Sequence, residues 1–124
     1  MSVSQQDFGF DPTNLAIIGK TITIPFVISN IQTADIASAE WSLFTLTPEE
    51  DPNRTALVTK TNASGITLTN NGSNVDAVVT LDPADTTLPT QLAGGDYFHR
   101  LDYVHTNSDQ FEAARGKGRL TPRV

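Results

Sequence analysis

Strict alternation of apolar and polar side chains is the feature that most constrains this chain. A strand turns successive side chains to opposite faces, so sustained alternation fits a half-buried strand and not the 3.6-residue period of a helix. Ile22, Ile24, Phe26 and Ile28 share one face, against Thr21, Thr23, Pro25 and Val27 on the other. Ala37, Ala39, Trp41 and Leu43 oppose Ser38, Glu40, Ser42 and Phe44. Val75, Ala77, Val79 and Leu81 alternate with Asp76, Val78 and Thr80. Tyr97, His99, Leu101 and Tyr103 do the same against Phe98, Arg100, Asp102 and Val104. Pro25 has no amide hydrogen to give a ladder, which places its strand at a sheet edge or a bulge.

Turn residues punctuate these runs. Thr47 to Arg54 holds two prolines and three acids, and Asn62 to Gly65 and Asn70-Asn71-Gly72 are short turns. Thr55 to Lys60 and Gly65 to Thr69 are short strand candidates beside them. Asp82 to Gly95 reads as one long turn, with Pro83, Pro89 and the Gly94-Gly95 pair, and Thr106 to Asp109 as a short one. Gln110 to Leu120 is a last strand, interrupted by Gly116 and Gly118, which mark a bulge or a close backbone approach. No segment has a long helical period. About seven short strands at fairly even spacing predict an all-β antiparallel sandwich. The 124 residues suit one domain, with an N-terminal arm over 1–14 and the sandwich over 15–124. Phe8 and Phe10 on that arm leave two readings open: docking on a neighbouring molecule, or stapling the arm to its own sandwich.

Charge and chemistry narrow the function. With 14 acidic and 8 basic residues the formal charge is −6, which phosphate backbones repel, so no nucleic-acid partner is expected. Arg115, Lys117, Arg119 and Arg123 gather four of the cations near the C-terminal end. They either guard an edge strand or meet an acidic neighbour. The absence of cysteine removes disulfides and thiolate metal sites. Met1 to Phe10 has neither a basic start nor an apolar run, so no signal peptide is expected, and no stretch is long enough to span a membrane. Folding in a reducing cytoplasm follows, and the acceptor patterns at Asn53, Asn62 and Asn71 read as turn chemistry rather than glycan sites.

Few groups offer catalysis. His99 and His105 lie about 20 Å apart along an extended strand, too far to share a metal. Asp82, Asp85 and Asp96 flank the long turn without a calcium-loop spacing and read as turn residues. Glu49, Glu50 and Asp51 form a proline-flanked acidic tip, not an acid–base pair in a cleft. Gly116-Lys117-Gly118-Arg119 lacks the rest of a phosphate loop. No enzyme, cofactor or metal is therefore expected, and a small-molecule ligand is not either. The outer face is more informative. Phe98 beside Arg100, with Phe44 and Leu46 on the tryptophan strand, has the composition of an interface. A slip of one residue in register would instead put these side chains in the core.

Trp41 in an early strand and Leu92-Ala93-Gly94-Gly95-Asp96-Tyr97 resemble the buried tryptophan and tyrosine corner of immunoglobulin-like sandwiches. His99 stands where antibody domains carry a cysteine. The chain also resembles a group of small phage proteins, among them the N-terminal immunoglobulin-like module of baseplate upper proteins. The matching elements run in order over about residues 15 to 121: Gly19-Lys20-Thr21, Trp41-Ser42-Leu43, Val58-Thr59-Lys60, Ser64-Gly65-Ile66, Val79-Thr80-Leu81, Asp85-Thr86, Leu92, Gly95, Tyr97 and Gly118. The pattern departs at Thr87 to Gln91, where Pro89 precedes the corner. The resemblance implies a peripheral virion protein of head surface, neck, tail or baseplate. It would be made in the host cytoplasm and held in a symmetric assembly by contacts with other virion proteins. The alternative is a carbohydrate- or receptor-binding module using Trp41, Tyr97 or Tyr103.

Overall fold

A computed structural model describes residues 4–45, 56–87 and 92–122. Its strands are β1 (Ser4–Gln5), β2 (Ala16–Ile17), β3 (Ile22–Ile28), β4 (Ile36–Thr45), β5 (Val58–Thr61), β6 (Ile66–Asn71), β7 (Asn74–Leu81), β8 (Gly95–His105) and β9 (Gln110–Thr121). A 3-10 turn at Thr33–Asp35 precedes β4, and one short helix, α1 (Pro83–Thr87), follows β7.

The small sheet has the order β3-β7-β6, and the large one β1-β9-β8-β4-β5, with β2 also paired to β9. Both N-terminal strands run parallel to β9, and the ladders among β3 to β9 are antiparallel. The orders β3-β7-β6 and β9-β8-β4-β5 correspond to strands B-E-D and G-F-C-C′, the two sheets of an immunoglobulin-like sandwich. The corner closes as its sequence suggested: the Tyr97 hydroxyl donates to the Ala93 carbonyl at 2.6 Å.

Alternation decides which side chains fill the space between the sheets. Ile22, Ile24, Phe26 and Ile28 are buried while Val27 stays exposed. Trp41, Leu43, Val75, Ala77, Val79, Leu81 and Leu101 are wholly enclosed. Among the described residues β3 pairs only with β7, so the edge position that Pro25 demands is where the strand lies. Ala37, expected inside, is exposed, because a register shift between Ile36 and Ser38 breaks the alternation there. The segment read as one turn from Asp82 to Gly95 contains α1, which starts on Pro83 with Asp85 accepting the Asp82 amide at 2.7 Å. The tip Glu49 to Asp51, and Leu46, Asn53, Pro89 and Arg123, lie outside the described residues.

Residues 4–10 do not form a separate arm. The Gln6 and Phe8 amides donate to the carbonyls of Arg115 and Lys117, and the Arg119 amide donates back to the Phe8 carbonyl. Phe8 is buried in the core. The two glycines of β9 make this possible by close approach and not by a bulge. A Cβ on Gly118 would overlap the Phe8 ring, and one on Gly116 would overlap the Gln6 carbonyl oxygen. The bulge of β9 is elsewhere, between the Leu101–Ala114 and Asp102–Glu112 pairs, and leaves Ala113 without a partner.

Candidate functional site

The outer face of the large sheet is ordered into rows by the registers of β4, β8 and β9. Glu40, Asp102 and Glu112 lie side by side across three strands. The next row holds Ser42, Arg100 and Arg115, and the one after it Phe44, Phe98 and Lys117. Carboxylates therefore occupy one end of the face and cations the other. Like charges directly opposite one another repel, and the neighbouring row relieves this. Arg100 Nε donates to Asp102 Oδ2 at 2.9 Å, and Arg115 grips Glu112 with two bonds of 2.8 and 2.6 Å. Burial holds the Asp102 carboxyl above its usual range; Arg100 opposes this, and Glu112 and Glu40 add to it. Glu40 and Lys117 form no ion pair among the described residues. A shallow groove of about 430 Å³ crosses the acidic row, bordered by Glu40, Arg100, Asp102, Tyr103 and Phe111.

The sequence expected exposed aromatics on this face, and here the structure corrects it. Phe44 and Phe98 do point away from the inter-sheet core, yet they are only 7% and 4% exposed. Their rings pack on each other at 6.1 Å, and the Arg100 guanidinium lies 5.7 Å from the Phe44 ring. What the face shows to solvent is charge. Phe10, in contrast, remains 38% exposed, with Arg119 stacked 4.6 Å from its ring and paired to Asp96 at 2.8 Å.

His99 is a core residue. It is enclosed by Phe8, Phe26 and Trp41, with ring centroids at 4.8, 5.7 and 6.0 Å. The Trp41 indole can only donate, and it donates to His99 Nδ1 at 3.0 Å. The proton therefore sits on Nε2, which donates to the Gln6 carbonyl. Burial pushes the imidazole down to about 4, against the opposing bond to Gln6 and the charge of Asp7. In place of a bridge between sheets, this position carries a relay that ties the N-terminal segment to the buried tryptophan.

Several residues near α1 and the start of β3 bond one another. Lys60 Nζ reaches Asp85 at 2.7 Å. Gly65, at φ +106°, leaves room for the Lys60 stem, which an added Cβ would meet at 2.5 Å. Thr86 is wholly buried; its hydroxyl accepts the Gly19 amide at 2.9 Å and its carbonyl accepts the Leu92 amide at 3.0 Å. The three aspartates of the long turn are not gathered around a common point. Asp85 is taken by Lys60 and Asp96 by Arg119, and no cluster of three potential metal ligands occurs among the described residues. His105 serves its own turn by accepting the Asn107 amide.

Reading the sequence did not find Glu112 as a partner of Asp102. Strict alternation puts Glu112 on the face of Ala114, and only the bulge at Ala113 turns it outward. No family profile matches the chain, and no curated protein matches it in sequence. Among solved structures it is similar to the extracellular domain of the voltage-gated sodium channel β4 subunit, described as forming parallel homodimers that explain its role in cell–cell adhesion. The identity is 13%, the match covers 100% of this chain and 97% of the other, and the TM-score is 0.36. A likeness this loose adds nothing to the strand order itself.

Proposed function

We propose that this domain is a non-catalytic assembly module, a peripheral component of a phage particle that acts through protein contacts. The observation that carries this reading is the convergence of the phage-like elements. Each of Gly19, Lys60, Gly65, Asp85-Thr86, Leu92 and Tyr97 is common in β-sandwiches taken alone. Here Lys60 bonds Asp85, Gly65 makes room for Lys60, Thr86 holds Gly19 and Leu92, and Tyr97 bonds the Ala93 carbonyl. A chance match in sequence has no reason to fall on residues that bond one another. This supports kinship with the phage modules over coincidence. Fold alone does not assign function, so the location is what needs testing.

The carbohydrate-binding alternative loses its platform: Trp41, Tyr97 and Tyr103 are buried, at 0%, 8% and 1% exposure. The deciding experiment is immunogold electron microscopy, with an antibody to this protein, on particles from the source culture. Label on heads, necks, tails or baseplates is the expected result. Unlabelled particles with the protein left in the soluble fraction would overturn the reading and favour a receptor-binding module.

A further inference from the structure

We infer that the outer face of the large sheet docks a second copy of this chain, laid antiparallel about a two-fold axis that crosses β8 between Arg100 and Asp102. The inference rests on the reading of the domain as a contact module and names its partner. Three observations carry it. The face is polarised along the strands, with Glu40, Asp102 and Glu112 in one row and Arg100 and Arg115 in the next. Arg100 and Asp102 share β8, and Arg115 and Glu112 share β9, so a two-fold axis perpendicular to those strands superposes one row on the other. Arg100 then faces the partner's Asp102 and Arg115 the partner's Glu112, each pair occurring twice, as an isologous interface requires. Glu40, which has no ion pair within the described chain, comes to lie over the partner's Ser42, next to the partner's Arg100.

The alternatives are disfavoured by the same charges. A parallel arrangement lays Glu40 on the partner's Glu112 and Asp102 on Asp102, three carboxylates against three. An acidic partner meets the carboxylate row, and a basic one meets the arginines. A copy of the same face satisfies both rows. Sheets packed this way keep their strands nearly aligned.

The test uses the full chain and two charge reversals. Glu112→Lys makes the 112/115 positions wholly basic, and Arg115→Glu makes them wholly acidic. Sedimentation velocity on the unaltered chain in low salt should show a dimer that weakens as salt rises. Each single variant, checked for folding by circular dichroism, should dimerise more than about tenfold more weakly. An equimolar mixture of the two should recover the dimer, because the lysine introduced in one copy meets the glutamate introduced in the other. Recovery in the mixture is something that a merely structural role for the Arg115–Glu112 pair would not produce. A monomer at all concentrations, or a mixture no stronger than its components, overturns the inference. A monomer that still labels phage particles removes the dimer and leaves the assembly reading standing; a monomer that labels nothing removes both.

Discussion

At the scale of single residues, His99 sets the response of the fold to acid. Its imidazole titrates at about 4 in the folded chain because burial disfavours the charged form, against about 6.5 in an unfolded chain. The sign follows from which state takes up protons. Above pH 6.5 neither state binds one at this site, and its contribution is constant. Between pH 6.5 and about 4 the unfolded chain binds a proton that the folded one refuses, so stability falls with pH. The full loss is about 3 kcal/mol. Denaturant melts from pH 7 to 4 should show this slope, and His99→Gln should flatten it while keeping a side chain able to accept from Trp41 and donate to Gln6. An equal slope in the variant would assign the effect to carboxylates. Phe98 makes a second case. At 4% exposure it behaves as a packed side chain although it lies on the outer face. Phe98→Ser should cost about 3 kcal/mol in a chemical melt; a loss under about 0.5 kcal/mol would mean the ring contributes little packing.

Among the elements, the N-terminal segment has the most conditional place. Among the described residues its ladder bonds go to β9, and it is anchored in the core by Phe8, seated in the space that Gly118 leaves, and by the Gln6 carbonyl, which accepts from His99. Gly118→Ala puts a methyl group where the ring lies, so the ring must leave. Losing the burial of one phenylalanine costs about 2–3 kcal/mol, and residues 4–10 should detach while the sandwich stays folded. Hydrogen exchange should then quicken at the amides of Gln6, Phe8 and Arg119 and remain unchanged in the centre of β8. Uniform quickening would mean that the segment and the sandwich unfold together. The sequence made the alternating strands legible because each has one dry face: β3 and β7 follow their patterns throughout, and β8 keeps its inward residues where alternation put them. It marked the two glycines of β9 as a bulge or a close approach without deciding between them, since the approaching segment lies about 110 residues away and leaves no local trace. The bulge at Ala113 was silent for a related reason. Alanine fits a bulge or a ladder equally well, and the choice rests on how β8 and β9 pair at both ends. That one bulge places Glu112 on the outer face, so the charged rows of the candidate site were not legible either.

At the scale of the whole molecule, long-range charge should act against the short ion pairs. The chain carries a formal charge of −6, and excess carboxylates repel across distances that salt screens well: the Debye length falls from about 30 Å at 0.01 M to about 8 Å at 0.15 M. The pairs Lys60–Asp85, Arg115–Glu112 and Arg119–Asp96 span 2.6–2.8 Å and lie far inside either length. Salt should therefore remove more repulsion than attraction, and the melting temperature of the monomer should rise by about 2–5 °C between these conditions, corresponding to about 1 kcal/mol or less. Dilute protein is the condition for this measurement. At high concentration the docking of two copies adds stability by mass action, and since that docking depends on facing charges it weakens as salt rises. The salt effect should accordingly shrink or change sign as protein concentration increases, and should lose its concentration dependence in Glu112→Lys. A melting temperature that falls with salt even in dilute solution would mean that the paired charges, and not the net charge, govern the stability of the isolated domain.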